Sequence, residues 1–375
     1  MKRLIIDMEY VHNVLLELLN IPSPTGYTDE IVHFVGGELT RLGISFQLTR
    51  RGAIQAILPG KREETIRAVV THLDTLGAMV KKLKKNGRLE IVPIGTWSSR
   101  FAEGARVTIF TDKVPRKGTI LPIKASGHTY DREIDELPVK WDYVEVRVDE
   151  ACGNKNDLEQ LGFAVGDYIA IDANPQVSAN GFINARHLDD KAGVALVLGA
   201  AKAVWEQGLE LDVTCKLLFT IEEEVGVGAS AGLQENVAEM VTVDNATLAP
   251  GQNSSEYGVT VALMDSSGPF DFHLTHHLIR LCKEHDILYE REVFKYYRSD
   301  SASALAAGND LRTALLGFGV DGSHGYERSN FRSLQAVAEL VALYMQTELT
   351  FTRDRLELGP LNGFPHLPGS LSPEN

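Results

Sequence analysis

An α/β protein interrupted by a β-rich insertion is the fold the sequence predicts, on two observations. Before residue 76 and again after residue 173, β-branched strands alternate with amphipathic helical segments, the pattern of a sheet covered by helices on both faces. Between about 77 and 172 that alternation stops, and short apolar runs separated by turn residues replace it. The predicted organisation is a first α/β part at 1–76, an inserted β-domain at 77–172 and a second α/β part at 173–375. A central mixed sheet flanked by helices would carry a small barrel-like insertion.

Met8, Val11, Leu15, Leu18 and Leu19 recur at helical spacing, so the chain opens with an amphipathic helix, broken at Ile21–Gly26. A second helix, near 28–42, carries Asp29 and Glu30 in its first turn, where they meet the positive end of the helix dipole, and Gly43 ends it. Strands follow near 45–49 and 53–58. A third, about 67–71, delivers His72 and Asp74 just beyond its end. In the insertion, Asn86-Gly87 between two alternating runs predicts a hairpin with a type I′ turn. Lys81, Lys82, Lys84, Lys85 and Arg88 around it read as charges solvating an edge strand. Further β-like runs follow, with one short helical signal at 156–162. After 173 come a helix over 191–208 rich in small apolar residues, a strand over 214–221 running into Glu222-Glu223-Glu224, and a strand over 240–247. A helix at 272–286, a strand at 288–294, a helix from Ser301, a strand at 312–320 and a helix from about 329 to 345 complete the alternation. The tail from Gly359 is rich in Pro and Gly and reads as loosely held.

Composition narrows the function. Apolar residues make up 44% and charged residues 23% of the 375, ordinary for a globular chain. With 37 Lys and Arg against 51 Asp and Glu, the net charge is −14, which argues against nucleic acid as a partner. Cys152, Cys215 and Cys282 are odd in number and far apart, which excludes a disulfide scaffold and fits a reducing compartment. No run of 18 apolar residues predicts a membrane span. The opening Met-Lys-Arg-Leu-Ile-Ile is cut short by Asp7 and Glu9 with no small-residue cleavage site after it, so a cytoplasmic location is expected.

Five polar clusters each fall at a predicted strand end or helix start: His72-Leu73-Asp74, Asp189-Asp190-Lys191, Glu222-Glu223-Glu224, Asp244 and His324. Open α/β sheets bind ligands beyond the carboxyl ends of their strands. Imidazoles and carboxylates are zinc-type ligands, and a carboxylate can bridge two ions. Taken singly, each cluster has an ordinary reading: a strand-end histidine, a helix cap, a solvated acidic turn, a turn aspartate, a loop histidine. Their recurrence in one positional pattern favours a two-metal hydrolytic site. His273, His276 and His277 share a helix without an HExxH glutamate and read as a packed or solvated face. Arg186 and His187 precede Asp189 closely enough to line the site or to be plain loop residues, and His128 has no partner in view. No GxSxG, P-loop or GxGxxG occurs, so serine hydrolase and nucleotide readings lack support.

In order, the pieces Thr71–Gly77, Leu188–Gly193, Phe219–Gly226, Val243-Asp244 and Ser323–Gly325 resemble the TET-type aminopeptidases, metallopeptidase family forty-two, whose members were also labelled glutamyl aminopeptidases or endoglucanases. The resemblance spans nearly the whole chain, including the inserted β-domain. It implies the co-catalytic metallopeptidase fold and two divalent ions, zinc with cobalt or manganese as alternatives. It further implies that His72, Asp189, Glu224, Asp244 and His324 are metal ligands, with Asp189 bridging and followed by a cis peptide bond. Asp74 would orient His72, and Glu223 would be the base acting on a metal-bridged water. Short peptides would be the substrates and a homo-oligomer, a dodecameric shell, the assembly. Three departures stand out: Lys191 where the family often has Arg, no proline after His324, and Arg298–Ala304 in place of a GTDA-like segment, which makes Asp300 a candidate site residue. The combination most resembles a bacterial branch associated with the osmolyte N-acetylglutaminylglutamine amide. The alternatives are a metal-dependent amidohydrolase or deacylase on N-acylated dipeptides, a metal-free glycoside hydrolase using two carboxylates, and a metal-binding scaffold without turnover, against which the retention of Glu223 argues. Among the three glutamates, Glu222 is expected to end the strand and point away or pair with a cation. Glu223 and Glu224 reach one site only if the chain has turned, which Gly226 favours.

Overall fold

The computed structural model describes residues 1–233, 235–355, 360–361 and 363–368. The fold is mixed α/β, as the alternation predicts. A twelve-stranded sheet carries the chain, and a closed six-stranded barrel lies between two of its strands in sequence. The centre of the sheet is parallel: Cys215–Thr220, Ile66–His72, Val237–Leu248 and Arg312–Asp321 lie side by side. Phe46–Leu48 and Ile54–Leu58 extend one side antiparallel. Beyond Arg312–Asp321 lie Glu327–Asn330, Phe182–Ala185 and Gln176–Val177. Val259–Asp265 branches from Arg312–Asp321 and pairs with Tyr289–Val293. All seven residues of Ile66–His72 are buried, as expected for a strand flanked by parallel neighbours.

Helix Leu188–Glu206 is apolar around almost its whole circumference because helices Met8–Asn20 and Phe331–Met345 pack on it as well as the sheet. The small residues expected there permit that closeness: a Cβ on Gly199 would lie 2.4 Å from Val11. Asp7 caps the first helix through Tyr10 N at 3.0 Å, and Gly43 ends the second in the left-handed region at φ +77°.

The barrel runs Gly77–Leu83, Arg88–Ile94, Val144–Val148, Pro115–Pro122, Arg106–Phe110 and Tyr168–Ile171, every pairing antiparallel, and closes on Gly77–Leu83. It has an apolar centre of its own, with Ala78, Val80, Ile91, Val107, Ile120, Val146 and Ile169 buried. The short helix expected near 156–162 is Lys155–Leu161, held by an Asn154–Asp157 capping box. Two expectations fail here. A closed barrel has no edge strand, and of the five basic residues Lys84 and Arg88 pair with Glu145 on the neighbouring strand. The hairpin turn is not type I′, which needs positive φ at both central residues; Gly87 alone is left-handed, inside a loop closed by Lys84 N donating to Arg88 O. The reading of the tail falls in large part on residues outside those described.

Candidate metal centre and active site

Parallel pairing puts the polar ends together. Thr220 pairs with His72 and Thr242 with Val70, so the turn after Thr220 and the side chain of Asp244 both arrive beside His72. His72 is the last residue of its strand rather than beyond it. The strand before the glutamates ends at Thr220, earlier than expected. Asp244 lies inside a twelve-residue strand, not at its end.

Asp189 stands at the middle of the cluster. Its Oδ1 lies 3.1 Å from His72 Nε2, and its Oδ2 lies 3.5 Å from His324 Nε2. His72 Nδ1 faces the Asp74 carbonyl oxygen at 2.9 Å, so Nδ1 must donate, which turns Nε2 toward Asp189. The Asp189–Asp190 peptide is cis. Ligand atoms of His72, Asp189 and Asp244 all lie within 4.8 Å of one another, and all three residues are buried. Asp189, Glu224 and His324 line the adjoining hollow.

Asp74 is fully buried and does more than the expectation assigned it. Its carboxylate stands 3.6 Å from His72 Nδ1, and the closer contact to that ring is its own carbonyl. The carboxylate also accepts from Glu223 N at 3.0 Å, Glu224 N at 3.3 Å and Thr25 Oγ1 at 2.7 Å. It thereby fixes the turn that carries both glutamates, and Gly226 completes that turn at φ +77°. Glu222 points away and pairs with Arg51, as expected. Glu223 Oε2 lies 3.8 Å from His72 Nε2, and Glu224 Oε1 accepts from Leu76 N at 3.1 Å.

Several residues that hold the cluster escaped the sequence reading. Glu327, buried, accepts Asp189 N at 3.2 Å on one oxygen and His324 N at 3.0 Å on the other. It follows His324 by three residues, and that spacing was the available signal. Asn245 Nδ2 donates to Asp189 Oδ2 at 2.6 Å. Asp190 accepts from Thr71 Oγ1 and, at 3.1 Å, from His72 N. A Cβ on Gly193 would lie 2.1 Å from Asp190 Oδ1, which explains the glycine of the Asp-Asp-Lys-Ala-Gly run. His324 Nδ1 faces Thr96 O at 3.0 Å, so the barrel orients that ring. Asp300 is buried and bonded to Thr220 Oγ1 at 2.6 Å and Ala229 N at 2.7 Å, at the wall of the cleft. His187 faces the Ile171 carbonyl at 3.0 Å, Arg186 donates to Phe101 O at 2.7 Å, and His277 packs between Thr347 and Arg280.

The donor set suits divalent cations. Burial, then the neighbouring charges, pushes Asp190, Glu223 and Glu224 well above the usual carboxylate range and Asp244 up to about 7. That much crowded negative charge is relieved by a bound cation. A cleft of about 690 Å³ opens beside the cluster, walled by Gly95 and Thr96 of the barrel, Val225, Gly226 and Tyr296–Asp300.

Comparison with known proteins agrees with this architecture. The M42 glutamyl aminopeptidase family model matches residues 52–340. YhfE of Bacillus subtilis (strain 168), which carries an aminopeptidase name, is 35% identical over 337 residues, 90% of this chain and 97% of its own. The glutamyl aminopeptidase of Lactococcus lactis subsp. cremoris (strain MG1363) is 27% identical over 218 residues, 56% of this chain and 59% of its own. The fold matches the TET aminopeptidase of Thaumarchaeota archaeon SCGC AB-539-E09 with a TM-score of 0.82 at 17% identity, covering 90% of this chain and 96% of that one. It matches the Pyrococcus horikoshii TET1 peptidase at 0.79 and 19%, covering 89% and 99%. With the family model spanning most of its length and both parts of its sheet, the chain belongs to the M42 glutamyl aminopeptidase family and is a peptide hydrolase.

Proposed function

We propose that this chain removes N-terminal residues from short peptides at a centre built for two divalent ions, zinc by donor type, with cobalt or manganese as alternatives. The observation that carries this is the Asp189 carboxylate, with one oxygen toward His72 and the other toward His324. His72, Asp189 and Asp244 would hold one ion, and Asp189, Glu224 and His324 the other. When bound, the ions supply polarisation of the scissile carbonyl and acidification of the attacking water. Glu223 is the group placed to take a proton from that water as it adds to the carbonyl carbon, and to return it to the leaving amine as the C–N bond breaks. Asp74 keeps Glu223 and Glu224 in register through their backbone amides. A metal-free glycoside hydrolase has no use for His72 and His324.

The barrel, with its own apolar centre, supports reading 77–172 as a unit inserted between Asp74 and Asp189, lending Thr96 to the cleft. Assembly into a homo-oligomer, and into a dodecameric shell, is supported by structural relatives described as a dodecamer and as a tetrahedron or octahedral shell. A reducing, cytoplasmic setting fits the unpaired Cys152, Cys215 and Cys282. Among the described residues no helix is long and apolar enough to cross a membrane.

Three variants test the assignment. Glu223→Gln should keep bound metal and lower turnover of aminoacyl substrates by about 10²–10⁴-fold. Glu224→Gln should lose metal, with activity partly restored by excess ion, and Glu222→Gln should change neither. Full turnover in Glu223→Gln, or cleavage of N-acetylated but not free-amine dipeptides, would overturn the reading.

A further inference from the structure

We propose that the Tyr297 hydroxyl is a catalytic hydrogen-bond donor to the scissile carbonyl oxygen; this rests on the peptidase reading of the cleft given above. Tyr297 lines the cleft together with Asp189, Glu223, Asp244 and His324. Its hydroxyl oxygen is buried and, with the Asp244 carboxylate beside it, closes no hydrogen bond of ordinary geometry among the described residues. Buried polar atoms in native proteins are almost always paired, so one that closes no such bond beside reactive groups calls for a partner that arrives later.

A second hydroxyl two residues on is in the same condition. Ser299 is 2% exposed, lines the same cleft, and its Oγ also closes no hydrogen bond among the described residues. It occupies the N-cap of helix Asp300–Ala306, where a serine ordinarily bonds an amide two or three residues ahead, yet it makes no such bond. Two hydroxyls on one short segment of the cleft wall thus stand without a closed hydrogen bond among the described residues.

The segment is held so that Tyr297 cannot turn away. Its ring packs against Phe294 at a centroid distance of 4.9 Å, within a small buried apolar cluster. Its carbonyl accepts from Ser266 N at 2.9 Å, and Asp300 is anchored to Thr220 and Ala229. A donor fixed in place before the reaction costs no reorganisation when charge develops.

Chemistry selects the substrate atom. Asp189, Glu223, Glu224 and Asp244 offer acceptors when ionised. The Asn245 amide is committed to Asp189 at 2.6 Å, and the His324 ring is set between Thr96 O and Asp189. Water adding to the carbonyl carbon drives negative charge onto the carbonyl oxygen, which needs donors. A phenol is protonated at neutral pH and supplies one without transferring its proton. Tyr297 also stands beside the Asp244 carboxylate, so the competing role is to position Asp244 as a metal ligand.

Tyr297→Phe removes only the hydroxyl and separates the two roles. The expected result is unchanged metal content and thermal midpoint, kcat lower by about 10²–10³-fold, and KM within about threefold of wild type. Calorimetric affinity for a phosphinic dipeptide, which mimics the tetrahedral carbon, should fall in parallel with kcat, while affinity for the product amino acid holds. Unchanged kcat and inhibitor affinity, or loss of metal from the variant, would overturn the proposal alone. A wild-type chain without chelator-sensitive aminopeptidase activity would overturn the underlying reading and the proposal with it.

Discussion

Asp74→Asn keeps the shape of a fully buried side chain and removes one acceptor from a carboxylate that uses both. In the native site Oδ1 accepts from Glu223 N at 3.0 Å, while Oδ2 accepts from Thr25 Oγ1 at 2.7 Å and Glu224 N at 3.3 Å. If the amide oxygen takes the Oδ2 place, the NH₂ group confronts the Glu223 N–H. If it takes the Oδ1 place, the NH₂ group confronts Glu224 N–H, because Thr25 can rotate its hydroxyl but the backbone cannot. Either way one charge-assisted bond is lost and a buried donor is left idle, worth together about 2–4 kcal/mol. Thr25→Val removes a single donor and should cost roughly 1–2 kcal/mol. Urea unfolding of chelator-treated protein at fixed concentration measures both, free of stabilisation by bound metal. The Asn variant should also bind metal more weakly, since Glu224 rides on the loosened turn. A variant as stable as wild type with full metal content would refute the claim that Asp74 organises the glutamate turn.

Other consequences follow from particular contacts. Arg67 and Glu239 form a fully buried pair at 3.2 Å, with Tyr344 Oη and Thr350 N also bonded to Glu239; Glu239→Ala should cost about 3–5 kcal/mol in denaturant unfolding, and adding Arg67→Met should recover much of it. His277 is pushed down to about 4, by burial first and then by the charges of Arg280 and Arg67, so the unfolded chain binds the extra proton. Its contribution is present above about pH 6.5 and is lost as pH falls through about 4, up to about 3 kcal/mol; His277→Gln should flatten that part of the stability profile relative to wild type. Gly193→Ala would set a Cβ against Asp190 Oδ1 and should lower both thermal midpoint and metal content. Light scattering should find a large homo-oligomer that accepts short peptides and excludes folded proteins, whereas monomers or dimers alone would remove the basis for the shell.

What the sequence made legible, and what it hid, divides along physical lines. His72 and the Glu222–Glu224 run stand out because a continuous apolar strand ends abruptly in polar residues, and parallel pairing brings those ends together. The break in composition near 77 was legible because barrel strands alternate with period two while the α/β part does not. Asp244 was harder, since it sits inside a long strand and reaches the site through register rather than position at an end. Glu327 and Asn245 look like ordinary neighbours of better motifs; their work appears only when Asp189, 138 and 56 residues away in the chain, is brought against them. Sequence shows Asp74 only beside the neighbouring histidine, whereas its carboxylate also serves amides 149 and 150 residues away. The hairpin turn was misread because Asn-Gly fits more than one loop, and only backbone angles separate a two-residue turn from a longer one.

The most direct test of the proposed two-ion centre is titration of the metal-stripped protein with zinc, and in parallel with cobalt, reading bound ion and hydrolysis of a free-amine dipeptide in the same samples. The predicted result is two ions per chain in wild type, activity that rises with occupancy and vanishes with chelator, and Asp189→Asn binding at most one ion with turnover reduced to background. Full activity at one ion per chain, or activity indifferent to chelator, would contradict it.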